Sequence, residues 1–443
     1  MPLNEILAAL MLVSFMGLLM LGVRVGYAIA ACGLFFGLIG FGPMLFNLLP
    51  PRLYGVATNY TLLAVPLFVF MGVMLEKSRI AEDMIDVMGH LAGRMRGGMG
   101  IAIVIVGVMM GAATGIVGAT IVTLSLIALP TLLRRGYSRS LASGAICASG
   151  TLGQIIPPSL VLILLSDLMG ESVGTLFAAA LMPGLMLAGL YVVYILVVAW
   201  LRPDMAPALS AEELDAVSRG QLLKNVVRGV LPPMVLVGLV LGSIIGGVAA
   251  PTEAAAMGAL GSLVMVVLMG KMSMNVLRDT LRQTLVTTSM IMFIILASQA
   301  FSLSFRGLGG EDLIGGFMDA VPGGLWGTII FMMVLLFILG FFLEWIEISY
   351  IVLPMLLPFF FAADVDMVWL AMLICINLQT SFLTPPFGWA LFFLKGAAPP
   401  ELKVTEVYLG VIPFIGLQII GLALVMLFPE IATWLPTAIG WMK

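Results

Sequence analysis

Apolar residues run through this chain in long blocks, and its polar positions fall almost wholly between them. The blocks cover about 5–22, 25–41, 60–76, 97–133, 137–166, 175–201, 230–249, 252–270, 284–304, 323–360, 366–395 and 404–428. Most approach the ~20 residues an α-helix needs to cross a hydrocarbon core. The first carries no Lys or Arg before Arg24. A signal peptide places its positive charge first, so this block reads as a retained helix. Two blocks differ. Residues 97–133 hold no charge and carry Gly-Ala-Ala-Thr-Gly at their middle, while 323–360 hold Glu344 and Glu347 near the midpoint. Two arms of about 15–16 residues each rise roughly 23 Å, short of a ~30 Å core. A re-entrant helical hairpin fits each block, with its non-helical tip tolerable at depth only against protein or water.

The basic residues give a sidedness. With the N-terminus outside, ten spans, and hairpins at 97–133 and 323–360, 17 of the 20 Lys and Arg fall on one side; only Arg52, Arg306 and Lys443 fall on the other. Cytoplasmic loops collect Lys and Arg, so both termini are expected in the periplasm of a bacterial inner-membrane protein. The one sizeable polar linker, 203–229, holds Glu212, Glu213 and Asp215 and separates residues 1–202 from 230–443.

These two parts resemble each other at an offset near 228. CASGTLGQIIPPS at 147–159 matches CINLQTSFLTPPF at 375–387: a Cys, a polar residue two on, then Pro-Pro ten and eleven positions after the Cys. Upstream, Ala81-Glu82-Asp83 faces Gly310-Glu311-Asp312. Each acidic pair begins an arm (80–94 and 305–322) before a hairpin, and each hairpin precedes a Pro-Pro helix. The predicted fold class is an all-α polytopic membrane protein with an inverted-topology repeat, an architecture that puts the site at the repeat interface near the midplane.

Two prolines in succession remove donors and clash with the preceding turn. Unwinding is therefore expected at 149–156 and 377–384, with Pro157-Pro158 and Pro385-Pro386 in the first turn of each restarted helix. Ser149, Thr151, Gln154, Asn377, Gln379, Thr380, Ser381 and Thr384 make these stretches polar. Freed carbonyls and side-chain oxygens suit a hard cation such as Na⁺, and the restarted helix N-terminus suits an anion. Thr114, Gly115, Gly118 and Thr120 mark the first tip; Glu344, Glu347 and Ser349 the second. An acid at membrane depth is a functional candidate. Glu344 and Glu347, three apart on one helix face, are open to three roles: binding a cation, carrying a proton or gating. They could also simply face a wet vestibule.

Composition narrows the rest. Hydrophobic residues make up 62% and charged residues 10%, far below the quarter usual in soluble domains, which leaves no room for a large soluble domain. A single histidine, His90, excludes a His-cluster metal site. Cys32, Cys147 and Cys375 sit in apolar stretches without a CxxC spacing. No HExxH or Ser/Lys constellation points to an enzyme, and nothing points to nucleic acid.

Three stretches resemble the large membrane subunit of tripartite ATP-independent periplasmic (TRAP) transporters. They are APTEAAA at 250–256, INLQTSFLTPPFGWALFFLKG at 376–396 and GAATGIVGAT at 111–120. FFLEWIEIS at 341–349 is similar to a subgroup with an acidic tip. The resemblance extends almost end to end. It implies an elevator transporter of the ion-transporter superfamily, coupled to Na⁺, taking an organic acid from a periplasmic substrate-binding protein. It also implies a small four-helix membrane subunit as a separate chain, because the first apolar run here matches the large subunit's own first span. Carried over by resemblance, one Na⁺ site lies among Thr114, Gly115, Gly118, Ser149 and Gly150, and another among Gly340, Glu344, Asn377, Gln379 and Thr380. Solute-binding candidates are Thr120, Thr151, Pro157, Pro158, Ser159, Ser381, Thr384, Pro385 and Pro386. The rival reading is a self-sufficient Na⁺- or H⁺-coupled carboxylate symporter that needs no binding protein.

Overall fold

The computed structural model describes residues 3–115, 117–210, 212 and 218–442. Glu213 and Asp215 of the linker, Ile116 at the first hairpin tip and Lys443 lie outside the described residues. The described chain is all-helical, and among its residues nine helices are long and apolar enough to cross a membrane, eleven if each of two bent pairs counts as one span.

Helices Leu3–Met20, Val25–Phe41 and Ala64–Lys77 open the first half. The arm Ile80–Ala92 leads into a hairpin, Gly98–Thr114 and Val117–Arg134. A broken helix follows, Arg139–Thr151 and Leu160–Met169, and Val173–Leu201 closes the half. The second half repeats the order: Leu231–Ile245, Pro251–Leu268, Met274–Gly307, the arm Gly310–Asp319, a hairpin from Gly324–Leu339 to Leu353–Ala362, a broken helix Met367–Leu383 and Trp389–Ala397, and Val404–Leu427. Two helices depart from the hydropathy reading. Leu45–Ala57 forms with Pro50 and Pro51 inside it, and Glu430–Ala438 follows the last span. The helix expected at 284–304 begins ten residues earlier, at Met274, because Ser273 Oγ accepts from Val276 N at 3.2 Å and starts it in polar sequence.

Cross-chain contacts sort the loops into two ends. At one end Lys271 Nζ meets Asp83 Oδ2 at 2.5 Å, Gly97 N donates to Ala206 O, Ser138 N donates to Met205 O, and Arg139 reaches Glu401 O and the Glu406 carboxylate. At the other, Asn59 and Tyr350 both donate to the Asp167 carboxylate. The first end gathers the basic clusters and is called the basic end below.

The Pro-Thr-Glu stretch has a local explanation. Pro251 occupies the first turn of its helix, and Glu253 Oε2 accepts from Ala250 N at 2.9 Å. This is the reciprocal half of a capping box, in which a glutamate three residues in satisfies an orphan donor. Lys403 N to Glu406 Oε2, at 2.8 Å, starts Val404–Leu427 the same way.

The two arms bridge the halves. Ile80–Ala92 packs on the helical segments Arg219–Asn225 and Val226–Val230 that lead into Leu231–Ile245, and Gly310–Asp319 packs on Leu3–Met20. Each arm thus touches the opening stretch of the opposite half. Close backbone approach joins the scaffold: a Cβ on Gly33 would stand 2.6 Å from Phe301 N, so Val25–Phe41 and Met274–Gly307 meet with no side chain between them at that point. Small residues serve this purpose in membrane helices.

A cavity between two hairpin tips and two broken helices

The first tip turns at Gly115, whose φ is +59°. Its Cβ position lies 3.1 Å from Leu160 N, the first residue of the restarted half-helix. Any side chain there would be strained in φ and pushed against that helix start. Thr114 and Thr120 brace the tip, their hydroxyls 2.8 Å apart. Gly118 abuts the ring of Phe393 in the second broken helix. Farther from the tip, Gly107 lies on Ser149, Gly111 on Gly153, and Gly150 on Ile121.

In the first broken helix the α-helix ends at Thr151 and a single 3₁₀ turn, Leu152–Gln154, follows. Pro157-Pro158, joined by a cis bond, then lead to Leu160. Ser159 Oγ donates across the break to Gln154 O at 2.6 Å. The second broken helix corrects the expectation of unwinding at 377–384. Residues up to Leu383 are α-helical, and the break is confined to 384–388. The reason is that the polar side chains find carbonyl partners. Thr380 Oγ1 donates to Ile376 O and Thr384 Oγ1 to Thr380 O, both at 2.7 Å. Asn377 Nδ2 donates to Met333 O and Ser381 Oγ to Phe337 O, again at 2.7 Å, joining the helix to the first arm of its own hairpin. The prolines also lie inside the breaks rather than in the first turn of the restarted helices, which begin at Leu160 and Trp389.

These bonds sort the second group of candidates. Gly340 sits on the Ser381 hydroxyl, and Asn377 lies one turn away on the same face. Gln379, two residues on, faces the other way. Its Nε2 approaches Thr151 Oγ1 at 3.3 Å and Tyr191 OH at 3.5 Å, while Gln418 Nε2 donates to Tyr191 OH at 2.8 Å and approaches Thr151 Oγ1 at 3.4 Å. Tyr191 and Gln418 were not singled out from the sequence; a lone glutamine inside a 24-residue apolar helix was the available signal.

The two acids of the second tip separate. Glu347 is buried, and its Oε2 accepts from Glu344 N at 2.9 Å. It caps the helix start at the tip, with Glu344 as the N-cap residue. Glu344 itself lines a cavity of about 290 Å³. The walls are Val117 and Gly118 of the first tip, Trp345 of the second, Phe382, Trp389 and Phe393 of the second broken helix, and the scaffold residues Glu76 and Gln283. Gln283 also lines a neighbouring opening of about 390 Å³ with Lys77, Asp279 and Arg282. Glu76 pairs with Lys77 at 3.1 Å. The cavity therefore brings together both halves and both tips, and Gln283 links it to an opening beside charged side chains of the scaffold.

The family model of the DctM component of tripartite ATP-independent periplasmic transporters matches residues 12–431. The chain belongs to this family. It is 30% identical to the C4-dicarboxylate TRAP transporter large permease protein DctM of Vibrio cholerae, over 97% of each chain. It is 29% identical to the Pseudomonas aeruginosa protein of the same name, over 90% of this chain and 92% of that one. With the ectoine TRAP transporter large permease protein TeaC of Halomonas elongata the identity is 27%, over 97% and 99%. Among solved structures, the YdaH transporter of Alcanivorax borkumensis shares the fold at a TM-score of 0.62 and 14% identity, over 89% of this chain and 88% of that one. This DctM-type subunit is a multi-pass membrane permease. Family membership implies, in general terms, a small membrane subunit and a substrate-binding protein as its partners.

Proposed function

We propose that this permease carries a small organic acid inward, driven by Na⁺, by an elevator movement of the hairpins and broken helices against the remaining scaffold. The observation that carries the reading is the cavity walled on one side by both tips and the second broken helix and on the other by Glu76 and Gln283. A site shared between a tip-bearing body and a scaffold is what a carrier that moves one against the other requires. The basic end is cytoplasmic in this reading, both termini are periplasmic, and the neighbouring opening at Lys77 and Arg282 supports reading this conformation as inward-facing.

The Na⁺ ions sit where each tip meets the broken helix of its own half: near Thr114, Gly115 and Ser149 in the first, near Gly340, Asn377 and Thr380 in the second. Supporting the first of these, the buried Gln154 Oε1 in the first break has no hydrogen-bond partner among the described residues. Buried acceptors of this kind call for water or an ion, and oxygen donors suit a hard cation. The solute carboxylate rests on the tips and on the N-terminal N–H groups of the restarted helix that begins at Trp389, which lines the cavity. Solute identity is set largely by the substrate-binding protein, as relatives named for a C4-dicarboxylate and for ectoine span different chemistries.

Reconstitution with the small subunit tests the proposal. Uptake is expected only with the binding protein present and a Na⁺ gradient imposed. Robust uptake by the membrane subunits alone would favour the self-sufficient symporter; uptake that follows a pH gradient and ignores Na⁺ would reject the coupling ion.

A further inference from the structure

A cavity lies beside each arm, one where Gly310–Asp319 meets Leu3–Met20 and one between Leu231–Ile245 and Pro251–Leu268 with Asp83 of the other arm at its rim, and the two differ in chemistry. The joint of Gly310–Asp319 with Leu3–Met20 holds about 350 Å³ lined only by apolar side chains. The cavity at the basic end, between Leu231–Ile245 and Pro251–Leu268, holds about 790 Å³. Its walls include Val235, Leu239, Val264 and Leu268, and its rim carries Arg228, Lys271 and Asp83. Lys271 is engaged, with Nζ on Asp83 Oδ2 and on the Arg79 carbonyl at 3.1 Å. Arg228 is exposed and makes no ion pair or hydrogen bond among the described residues. The rim therefore holds one unbalanced positive charge.

The backbone sets Arg228 apart as well. Val226–Val230 is a π-helical turn at the foot of the Leu231–Ile245 helix. Such turns recur at functional positions. Gly229 of the same turn packs against Asp83 of the arm, its Cβ position 3.3 Å from that of Asp83. From Arg228 to Leu239 the helix rises roughly 16 Å, along which the groove wall is apolar. A cationic rim over an acyl-sized apolar groove matches the basic pockets between helices that hold anionic lipid headgroups.

We propose that this basic-end cavity binds an anionic phospholipid. Its phosphate accepts from the Arg228 guanidinium and from a free Lys271 ammonium N–H, and one acyl chain lies along Val235, Leu239, Val264 and Leu268. A zwitterionic headgroup adds an ammonium beside a rim that already has a positive excess, so a lipid of net charge minus one is preferred. The other cavity, with no charged side chain in its lining, offers no such selection.

Purified full-length chain in dodecyl maltoside, titrated with phosphatidylglycerol or with phosphatidylcholine of the same acyl chains, tests this by native mass spectrometry and by the unfolding temperature. Phosphatidylglycerol is expected to be retained and to raise the unfolding temperature; phosphatidylcholine is not. Arg228→Gln should weaken retention about tenfold, as for the loss of one charge-assisted hydrogen bond. Leu239→Trp, which narrows the groove and keeps both cations, should weaken it too. Equal retention of the two lipids, or retention unchanged in Arg228→Gln, overturns the proposal. So does equal stabilisation by inorganic phosphate, which would mark a soluble-anion site. If the small membrane subunit shields a cysteine placed at 239 and excludes phosphatidylglycerol, the groove is a protein interface and the lipid assignment fails.

Discussion

Thr151 and Gln379 stand 228 positions apart in the chain and 3.3 Å apart in space, the amide of Gln379 turned to the Thr151 hydroxyl. The same offset separates Pro157 from Pro385, so the two residues are equivalents in the two halves. Their contact marks where the pseudo-two-fold axis passes between the broken helices. Tyr191 and Gln418, offset by 227, close the network around the same point. All four side chains are buried. Deleting one partner leaves buried donors unmet, at a cost of about 1–3 kcal/mol. Thr151→Val and Gln418→Leu should each lower the unfolding temperature in detergent. Because they share partners, the double variant should lose less than the sum of the singles. Strict additivity would show that the four side chains do not act as one network.

The capping and cavity roles of the two tip acids make opposite predictions. Glu347 accepts from the Glu344 backbone, so Glu347→Ala should cost about 0.5–2 kcal/mol of stability, and Glu347→Gln, which can still accept, much less. Glu344→Gln should leave unfolding nearly unchanged and alter solute uptake through the cavity. A Glu344→Gln variant that unfolds early yet transports normally would reverse the assignment.

The spans, both hairpins and both breaks were legible because each rests on a local signal: run length, a charge-free block with glycines at its middle, or consecutive prolines. The extent of unwinding was not. Asn377, Thr380 and Ser381 read as polar and therefore unwound, yet each satisfies itself on a helical carbonyl, two of them on the neighbouring hairpin arm at Met333 and Phe337. That pairing depends on where the arm lies in space, which composition does not encode. The same holds for Tyr191, whose partners lie in helices almost 200 or more positions away. Glu253 is the reverse case: a residue met inside a family signature has a local capping role, legible from its three-residue spacing after Ala250.

Gly115 tests the closure of the first tip. Its positive φ and its approach to Leu160 N both disfavour a side chain. Gly115→Ala should lower uptake strongly, because the tip can no longer seat on the restarted helix. Gly189→Ala is the control: no atom lies within 4 Å of its Cβ position, and it sits inside a helix where alanine is favoured by about 1 kcal/mol. Equal uptake by the two variants would remove the tip from the transport cycle.

The last prediction concerns pH at the end opposite the basic clusters. Glu171 lies in the loop between Leu160–Met169 and Val173–Leu201. Burial, and then the nearby Asp366 carboxylate, push its carboxyl above the usual range. A raised carboxyl binds its proton more tightly in the folded chain than in the unfolded one. Its contribution to stability is thus fully present below the unfolded value and is lost as pH rises through the folded one. Asp366 is held in place, because its Oδ1 accepts from Val368 N and Trp369 N at the start of the second broken helix. Glu171→Gln removes the repulsion while keeping the size of the side chain. Relative to the parent, it should therefore raise the unfolding temperature at pH 7 and give no advantage near pH 4. A difference between the two proteins that stays constant across this range, or grows on acidification, would show that Glu171 is not held against Asp366.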